Sequence, residues 1–195
     1  MCGRYFLNIA LDELESRYGI SSIPEELKDY QGEIFPSNQA PVLFNKENNK
    51  KIGLMNWGFK PSYTNNLVIN ARSETVHKKN LFKESFHRRR CIIPANGFFE
   101  WEDKDGTKIK HFIELNDENI ISLAGIYDSF KIDGEEKLSF CILTKEAPQK
   151  LINIHDRIPV IIKKQYEDEW LEEKFTPRVF DYINPTGFDF LVENK

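Results

Sequence analysis

The sequence is poor in cysteine and has no long apolar run. It holds three cysteines in 195 residues and no C-x-x-C pair, which argues against both a disulfide framework and a zinc knuckle. No apolar run reaches the length of about 18 residues that a membrane-spanning helix needs. Charge in the early stretch ALDELESRYG also argues against the apolar core of a signal peptide. We therefore expect a cytoplasmic protein with no membrane partner.

The common cofactor signatures are missing as well. The sequence has no Walker loop, no dinucleotide fingerprint, no HExxH and no GxSxG. It therefore predicts no cofactor and no metal site. A chain of 195 residues with 40% hydrophobic and 30% charged residues is typical of one globular domain, and nothing in it indicates an obligate oligomer. We expect a single domain over residues 1–195 and a monomer.

Strand-like stretches dominate what is present. Apolar or alternating runs joined by short polar turns predict hairpins at APVLF, KIGLMNW, CIIP, GFFEWE, KIKHFIEL, NIISLAGIYDSF and KLSFCILT. Residues 20–40 are predicted to be a loop. Short helices are predicted at ALDELESRY, capped by Asn8 and ended by Gly19, and at HKKNLFKESFH, APQKLINI and KKQYEDEWLEEK. The pattern predicts an α+β fold: a mainly antiparallel sheet curled into an open barrel-like core, with a few peripheral helices.

Positive charge is concentrated in one stretch, residues 71–90. The net charge of the chain is −4, which by itself argues against a nucleic-acid partner. The stretch ARSETVHKKNLFKESFHRRR, however, carries seven Lys and Arg residues against two Glu residues. It could bind a phosphate backbone, or it could be a solvated helix whose arginine-rich end complements the helix dipole. Charge alone leaves both explanations open.

Cys2 follows the initiator methionine directly. Aminopeptidases remove that methionine when the next residue is small, and removal would expose an α-amine and a thiol on adjacent carbons. The ordinary pKa values of these groups, about 8 and about 8.5, leave both partly nucleophilic near neutral pH. Such a pair can condense with an aldehyde to an imine and then close a five-membered thiazolidine ring. The alternative is that a cysteine occupies this position without a role.

Three further stretches carry polar groups that could do chemistry. In GFFEWE a carboxylate between aromatic residues should be partly desolvated, which raises its pKa, but the alternation does not choose between Glu100 and Glu102. His155 in NIHDRIPVII could move protons near neutral pH, although a lone histidine is often structural. In INARSET, Asn70 could orient a nucleophile or cap a helix, and Arg72 could hold a phosphate.

Taken together and in this order, these stretches resemble one family. MCGR, WGFKPSY, NARSET, RRRCIIPANGFFEW, LAGIYDSF, SFCILT and IHDRIPVI are similar to the successive signature blocks of the SRAP (SOS-response-associated peptidase) family of abasic-site processing proteins. The resemblance covers roughly residues 2–162, whereas residues 163–195 diverge. It implies a DNA-repair enzyme that forms a covalent thiazolidine crosslink with an abasic site in single-stranded DNA and so shields the lesion.

The resemblance also implies which residues work. The positions that match the family's catalytic residues are Cys2, Asn70, Glu100 and His155, and this choice selects Glu100 over Glu102. Glu100 would relay protons during imine formation, His155 would assist ring opening of the sugar, and Asn70 would hold the N-terminus in attack geometry. The resemblance and the basic stretch together imply DNA contacts from Arg4, Trp57, Arg72, Arg89, Arg90 and Pro36, with Trp57 as a stacking face for a base.

Two departures from the family pattern bear on these expectations. Glu33 stands near the position where the family usually has asparagine, close to Pro36. The usual Trp–Val–Asn strand is not evident in the tail, so the closing edge of the sheet is expected to be shortened or rebuilt. Two other functions stay open: a thiol autopeptidase in which Cys2 frees its own N-terminus, and a module that binds single-stranded nucleic acid without a covalent product.

Overall fold

The computed structural model describes residues 2–20, 23–24, 27, 30–183 and 186–195, with the backbone alone at residue 30. In these residues the strands are β1 (Tyr5–Ile9), β2 (Tyr30–Ile34), β3 (Gln39–Lys46), β4 (Asn49–Trp57), β5 (Asn70–Arg72), β6 (Arg90–Ala95), β7 (Gly97–Lys104), β8 (Thr107–Leu115), β9 (Ile121–Ile132), β10 (Glu135–Glu146), β11 (Arg157–Pro159), β12 (Ile161–Ile162) and β13 (Phe190–Asn194). The helices are α1 (Leu11–Tyr18), α2 (Lys83–Arg88), α3 (Glu167–Leu171) and α4 (Val179–Tyr182), with a 3₁₀ turn at Lys164–Tyr166. No helix in this part of the chain is long and apolar enough to cross a bilayer.

Five strands close into a barrel. β4 pairs with β3, β3 with β6, β6 with β9 and β9 with β10, all antiparallel, and β10 returns to pair in parallel with β4. The short strands β5, β11 and β12 extend this sheet from β10 and β9. The predicted α+β fold with a barrel-like core is therefore confirmed, and the ring of strands is closed by the parallel pair between β4 and β10.

The barrel core is continuous and apolar. Fully buried side chains from all five strands fill it, among them Val42, Met55, Ile92, Leu123 and Ile142. Burying one such side chain stabilises the fold by roughly 1.5 to 3 kcal/mol. The strands approach closely at Gly125 on β9, where an added Cβ would lie 2.3 Å from the Ile93 side chain. Any larger residue there would have to displace the Ile93 and Cys91 side chains of β6.

A second, antiparallel sheet packs against the barrel in the order β13-β8-β7-β1-β2. Alternation along β7 places Phe98 and Glu100 on the same face, and Phe98 lies opposite Tyr5 of β1. The Tyr5 ring contacts Trp57 of the barrel, with centroids 5.2 Å apart, so this face looks toward the barrel. The candidate site residues Cys2, Glu100 and His155 lie between the two sheets, and this region is called the groove below. The edge strand β13 pairs with β8 over its whole length, so the divergent tail rebuilds the closing edge.

Several local predictions are wrong for reasons that lie outside the local sequence. Asn8 does not cap α1, because it belongs to β1 and its N–H donates to Asn96 Oδ1 at 2.6 Å. The helix follows Ala10 and ends, as predicted, at Gly19, whose φ is 63°. The predicted loop over 20–40 contains β2 and the start of β3. The stretch APQKLINI forms turns, and KKQYEDEWLEEK forms a 3₁₀ turn followed by α3, in which Trp170 is buried.

Candidate active site at the N-terminus

Cys2 lies buried in the groove between the sheets, directly before β1. The side-chain amide of Asn70, the first residue of β5, donates to the Cys2 carbonyl at 2.8 Å. The Cys2 thiol donates to the Arg4 carbonyl, with a long Sγ to O distance of 3.9 Å. The segment between Cys2 and β1 is thus held at both ends. The Asn70 side chain from the barrel sheet holds Cys2, and strand pairing in the second sheet holds β1.

Strand pairing brings Glu100 to the same place. Tyr5 pairs with Phe98, and the Phe99 N–H donates to the Arg4 carbonyl at 2.9 Å. Extending this register by two residues places Gly3 opposite Glu100. Asn70 arrives from the other sheet, because β5 runs parallel to β10 with Asn70 beside Ile142. The site is therefore assembled from strands that are far apart in sequence.

Burial sets the chemistry of Glu100. Its side chain is 2% exposed, and burial raises the pKa of its carboxyl to about 7, with the negative charge of Asp156 acting in the same direction. A carboxyl that is about half protonated at neutral pH can both donate and accept a proton. Burial, and secondarily the charge of Glu100, raises the pKa of the Cys2 thiol well above its usual range. The thiol is therefore held protonated.

His155 stands on the other side of Glu100, with its Nε2 at 3.9 Å from Glu100 Oε2. The backbone N–H of Arg157 lies 3.0 Å from His155 Nδ1, a contact that favours the tautomer with the proton on Nε2, toward Glu100, whereas the Asp156 carboxylate beside Nδ1 favours a proton on Nδ1. Burial lowers the pKa of His155, and the carboxylate of Asp156, 2.7 Å from Nδ1, partly offsets this. At 3.9 Å the imidazole and the carboxyl are too far apart for a direct hydrogen bond, but a hydroxyl placed between them could exchange protons with both.

Sequence reasoning missed Arg157, which fixes the relative positions of the segments that carry Asn70 and His155. Its guanidinium donates to both carboxylate oxygens of Glu74 at 2.9 and 3.0 Å and to the Thr144 carbonyl at 2.7 Å. Glu74 follows β5, and Arg157 opens β11 directly after the His155 turn. The signal in the sequence was that Arg157 and Glu74 lie inside the two blocks IHDRIPVI and NARSET.

The structure separates the two glutamates that alternation could not. Both lie on the same face of β7, but only Glu100 lies deep in the groove. The Glu102 side chain is part-exposed, and its carboxylate binds His111 Nε2 at 2.9 Å. Glu100 is therefore the carboxyl that meets Cys2 and His155.

Three of the residues predicted to contact DNA are at least partly exposed to solvent. Arg4 is part-exposed and forms an ion pair with Glu33, with Nη1 3.0 Å from Oε2. Arg72 is exposed at the end of β5, two residues beyond Asn70. Pro36 is half-buried in the turn between β2 and β3. These three positions are compatible with a strand that passes over Cys2.

The structure contradicts the role predicted for Trp57. Its side chain is 0% exposed, its Nε1–H donates to the Ile69 carbonyl at 3.1 Å, and its ring packs parallel to Phe140 and against Tyr5. A side chain enclosed on all sides cannot offer a face to a base. Trp57 is a core residue beneath the groove.

The prediction that Arg90 contacts a phosphate is also wrong. It is 3% exposed, and its guanidinium donates to backbone carbonyls at the ends of α2 and α3, those of Phe86, His87, Trp170 and Glu172. Arg89 is part-exposed but bound to Asp128, with Nη2 2.8 Å from Oδ2. Both side chains are committed to contacts inside the protein because α2 packs against β6 and β9.

Comparison with known proteins agrees with this architecture. The chain is 33% identical over 184 residues to "Abasic site processing protein YoqW" of Bacillus subtilis (strain 168), which covers 90% of this chain and 82% of that protein. It is 28% identical over 196 residues to "Abasic site processing protein YedK" of Escherichia coli (strain K12), with 96% and 86% covered. A crystal structure of a Bacteroides thetaiotaomicron protein superimposes with a TM-score of 0.84 at 26% identity, over 98% of this chain and 91% of that one. The model of the family described as SOS response associated peptidase (SRAP) matches residues 1–187, and the chain belongs to that family.

Proposed function

We propose that this protein processes abasic sites in single-stranded DNA by forming a covalent thiazolidine crosslink through Cys2, after removal of Met1. The hydrogen bond from Asn70 to the Cys2 carbonyl carries the proposal. The acceptor of this hydrogen bond is the Cys2 carbonyl oxygen, which remains after Met1 is removed. The bond would therefore hold the new α-amine beside Glu100. The names of the Bacillus subtilis and Escherichia coli relatives support the same class of substrate.

The proposed reaction joins the ring-opened sugar to both groups of Cys2. The α-amine attacks the C1′ aldehyde, and the carbinolamine loses water to give an imine. Glu100 accepts the proton that leaves the amine and returns one to the departing hydroxyl, which a carboxyl with a pKa near 7 can do in either direction. The thiol then adds to the imine carbon, its proton passes to the imine nitrogen, and the ring closes. The net change is one C–N bond and one C–S bond formed and one water released.

His155 is proposed to act before the amine attacks. The abasic sugar is mostly closed, and opening it requires a proton on the ring oxygen and loss of the proton on the C1′ hydroxyl. The Nε2–H of the neutral ring can donate the first, and Glu100, 3.9 Å from Nε2, can accept the second. The sulfur is buried and protonated until the imine forms, which protects it from other electrophiles.

The test is incubation of the purified protein with single-stranded DNA that carries one abasic site, followed by a denaturing gel and intact-mass measurement. We expect a covalent product whose mass equals protein without Met1 plus DNA minus one water. The Cys2→Ala variant keeps a small second residue and therefore loses its methionine too, so it retains an α-amine but has no thiol. It should give no adduct that survives denaturation, while borohydride should still trap its imine.

The rival functions give different results in the same experiment. A thiol peptidase would leave the DNA unmodified and would release a peptide from a chain extended upstream of Cys2. A non-covalent binding module would show a salt-sensitive complex and no change in mass. Equal crosslinking by wild type and Cys2→Ala would overturn the proposal.

A further inference from the structure

We propose that Phe35 is a stacking platform for the nucleobase next to the abasic site, with Arg4 and Trp101 stacked behind it. The inference rests on the proposed function and adds a base-binding position to it. It also fills the role that the sequence had suggested for Trp57, which the fold buries.

The three side chains form one layered stack on the outside of the second sheet. The Arg4 guanidinium carbon lies 4.2 Å from the centroid of the Phe35 ring and 5.1 Å from that of Trp101. A guanidinium within about 6 Å of an aromatic ring centroid makes a favourable cation–π contact, and Arg4 makes one with each ring. Phe35 is 41% exposed, which is unusual for a phenylalanine with a fixed partner on one face. The stack therefore presents an aromatic ring to solvent rather than to the core.

The turn that carries Phe35 is held in place by backbone hydrogen bonds. The Phe35 N–H donates to Asn38 Oδ1 at 3.0 Å, and the Asn38 N–H donates back to the Phe35 carbonyl at 3.1 Å. The Ser37 N–H donates to the Trp57 carbonyl at 2.9 Å, which fastens the turn to β4 of the barrel. A ring held in this way loses little conformational freedom when a base stacks on it.

The platform is connected to the nucleophile through the first residues of the chain. Arg4 is two residues from Cys2, and its carbonyl accepts the hydrogen bond from the Cys2 thiol. Phe35 directly follows β2, the edge strand of the second sheet, so in the proposal a nucleotide adjacent to the lesion crosses this edge to reach the stack while the abasic sugar lies at Cys2. The base of that nucleotide has lost its stacking neighbour, because the abasic site has none, so one of its faces is open. An exposed aromatic ring can replace the missing neighbour.

Charge around the platform favours stacking over a phosphate contact. Glu33 binds Arg4, and it also binds Lys110, whose Nζ lies 2.5 Å from Oε1. The pKa of Glu33 is lowered despite some burial, because Lys110 and Arg4 hydrogen-bond to its carboxylate. Arg4 is therefore already paired with a carboxylate and a ring, and its main contribution is to orient Phe35.

The experiment measures binding by fluorescence anisotropy, with a tetrahydrofuran spacer in place of the abasic site so that no crosslink can form. One oligonucleotide has adenines on both sides of the spacer, and the other has further spacers there, so that it lacks the neighbouring bases. We expect Phe35→Ala to weaken binding of the adenine-flanked DNA about 10-fold and to leave the spacer-flanked DNA within about twofold. Phe35→Trp should restore or strengthen binding of the adenine-flanked DNA.

The comparison between the two oligonucleotides separates stacking from a structural effect. Equal losses on both DNAs, or no loss on either, would overturn the inference. Phe35→Leu repeats the test with a side chain that fills the same space without a π face, in case the alanine variant folds poorly. Crosslinking of genuine abasic DNA by the wild type is measured in parallel. If it occurs while Phe35 has no base-dependent effect, only the platform is wrong, and if it does not occur, the proposed function itself fails.

Discussion

Polar side chains have different surroundings and contacts in the groove around Cys2 and in the basic stretch 71–90. In the groove, Glu100 and His155 are held with their reactive atoms facing each other across 3.9 Å. In the basic stretch, Arg90 turns inward and binds helix-end carbonyls, and the part-exposed Arg89 is paired with Asp128. Polar groups lie buried close to one another in the groove, whereas in the basic stretch Arg90 holds the ends of two helices.

The difference shows that a cluster of charged residues in the sequence does not by itself form a charged surface. Arg90 follows α2 and opens β6, so its side chain reaches the carbonyl ends of both α2 and α3. Such carbonyls have no partner within their own helix, and a guanidinium satisfies several of them at once. Burial lowers the pKa of Arg90 to about 10, which still leaves it charged at neutral pH. Exposed positive charge near the groove comes instead from Arg72.

The largest expected effect is on the crosslinking rate when Glu100 is replaced. It tests whether this buried carboxyl transfers protons or only supports the fold. Glu100→Gln should slow crosslinking about 100- to 10,000-fold, because the amide fills the same space but cannot transfer a proton. Single-turnover rates on abasic DNA measure this. Glu102→Gln is the matched control on the same face of β7, and it should stay within about threefold of wild type. Similar losses in both variants would contradict the assignment of the proton transfer to Glu100.

The same variant should alter stability in a pH-dependent way. Burial raises the Glu100 pKa from its ordinary 4.5 to about 7, so ionising this group opposes folding. The cost is absent below about pH 4.5, grows as the pH rises toward 7 and is constant above that. Glu100→Gln should therefore stabilise the fold by up to about 3 kcal/mol at pH 8 and by nothing at pH 4.5. Urea denaturation at the two pH values checks this, and a variant that is less stable at pH 8 would contradict it.

Substitution of Arg90 should lower the stability of the fold, whereas substitution of Glu100 should raise it. Arg90→Met should destabilise the fold by about 3 kcal/mol, because several buried carbonyls lose their donor. Urea denaturation measures the loss. Arg88→Met is the control, since Arg88 is exposed and paired with Glu84 on its own helix, and it should change stability by less than about 0.5 kcal/mol. If Arg90→Met were stable and bound DNA more weakly, Arg90 would be a phosphate contact after all.

The smallest effect is expected from Arg72, the exposed arginine near Asn70. Arg72→Ala should weaken DNA binding about threefold to fivefold at low salt and reduce the salt dependence by about one phosphate contact, with stability unchanged. Affinity measured across a salt series tests this. Lys51→Ala, an exposed lysine near the start of β4, serves as the charge-matched control. An unchanged salt slope in Arg72→Ala would remove this residue from the DNA path.

Local sequence patterns predicted the strands well, because alternation and turn residues act over short distances. The hairpin between β3 and β4 turns at Glu47 and Asn48, both with positive φ, within the polar stretch that indicated it. The errors arose where a distant residue competes for the backbone. Asn8, for example, lies inside β1, whose pairing with β2 holds the chain extended through Ile9, so the helix begins only after Ala10. The helix cap predicted at Asn8 could not foresee that pairing.

The site was predicted by resemblance more than by pattern. Alternation left Glu100 and Glu102 equal, and only depth in the groove separates them. Trp57 and Arg90 have residue types that suit DNA binding, but the barrel and the helix ends enclose them. Phe35 drew no attention, because one phenylalanine in a predicted loop carries no periodic signal.

By itself the sequence determined which reactive groups are available: a cysteine directly after the initiator methionine, and an asparagine, a glutamate and a histidine in recognisable blocks. It also determined the hairpins that form the sheets. The tertiary structure decided which of these groups meet, which arginines face water and which aromatic ring is exposed. The physical reason is that burial and strand pairing join residues from separate parts of the chain. The pKa of a carboxyl, or the availability of a ring, depends on those neighbours and not on the residues beside it in sequence.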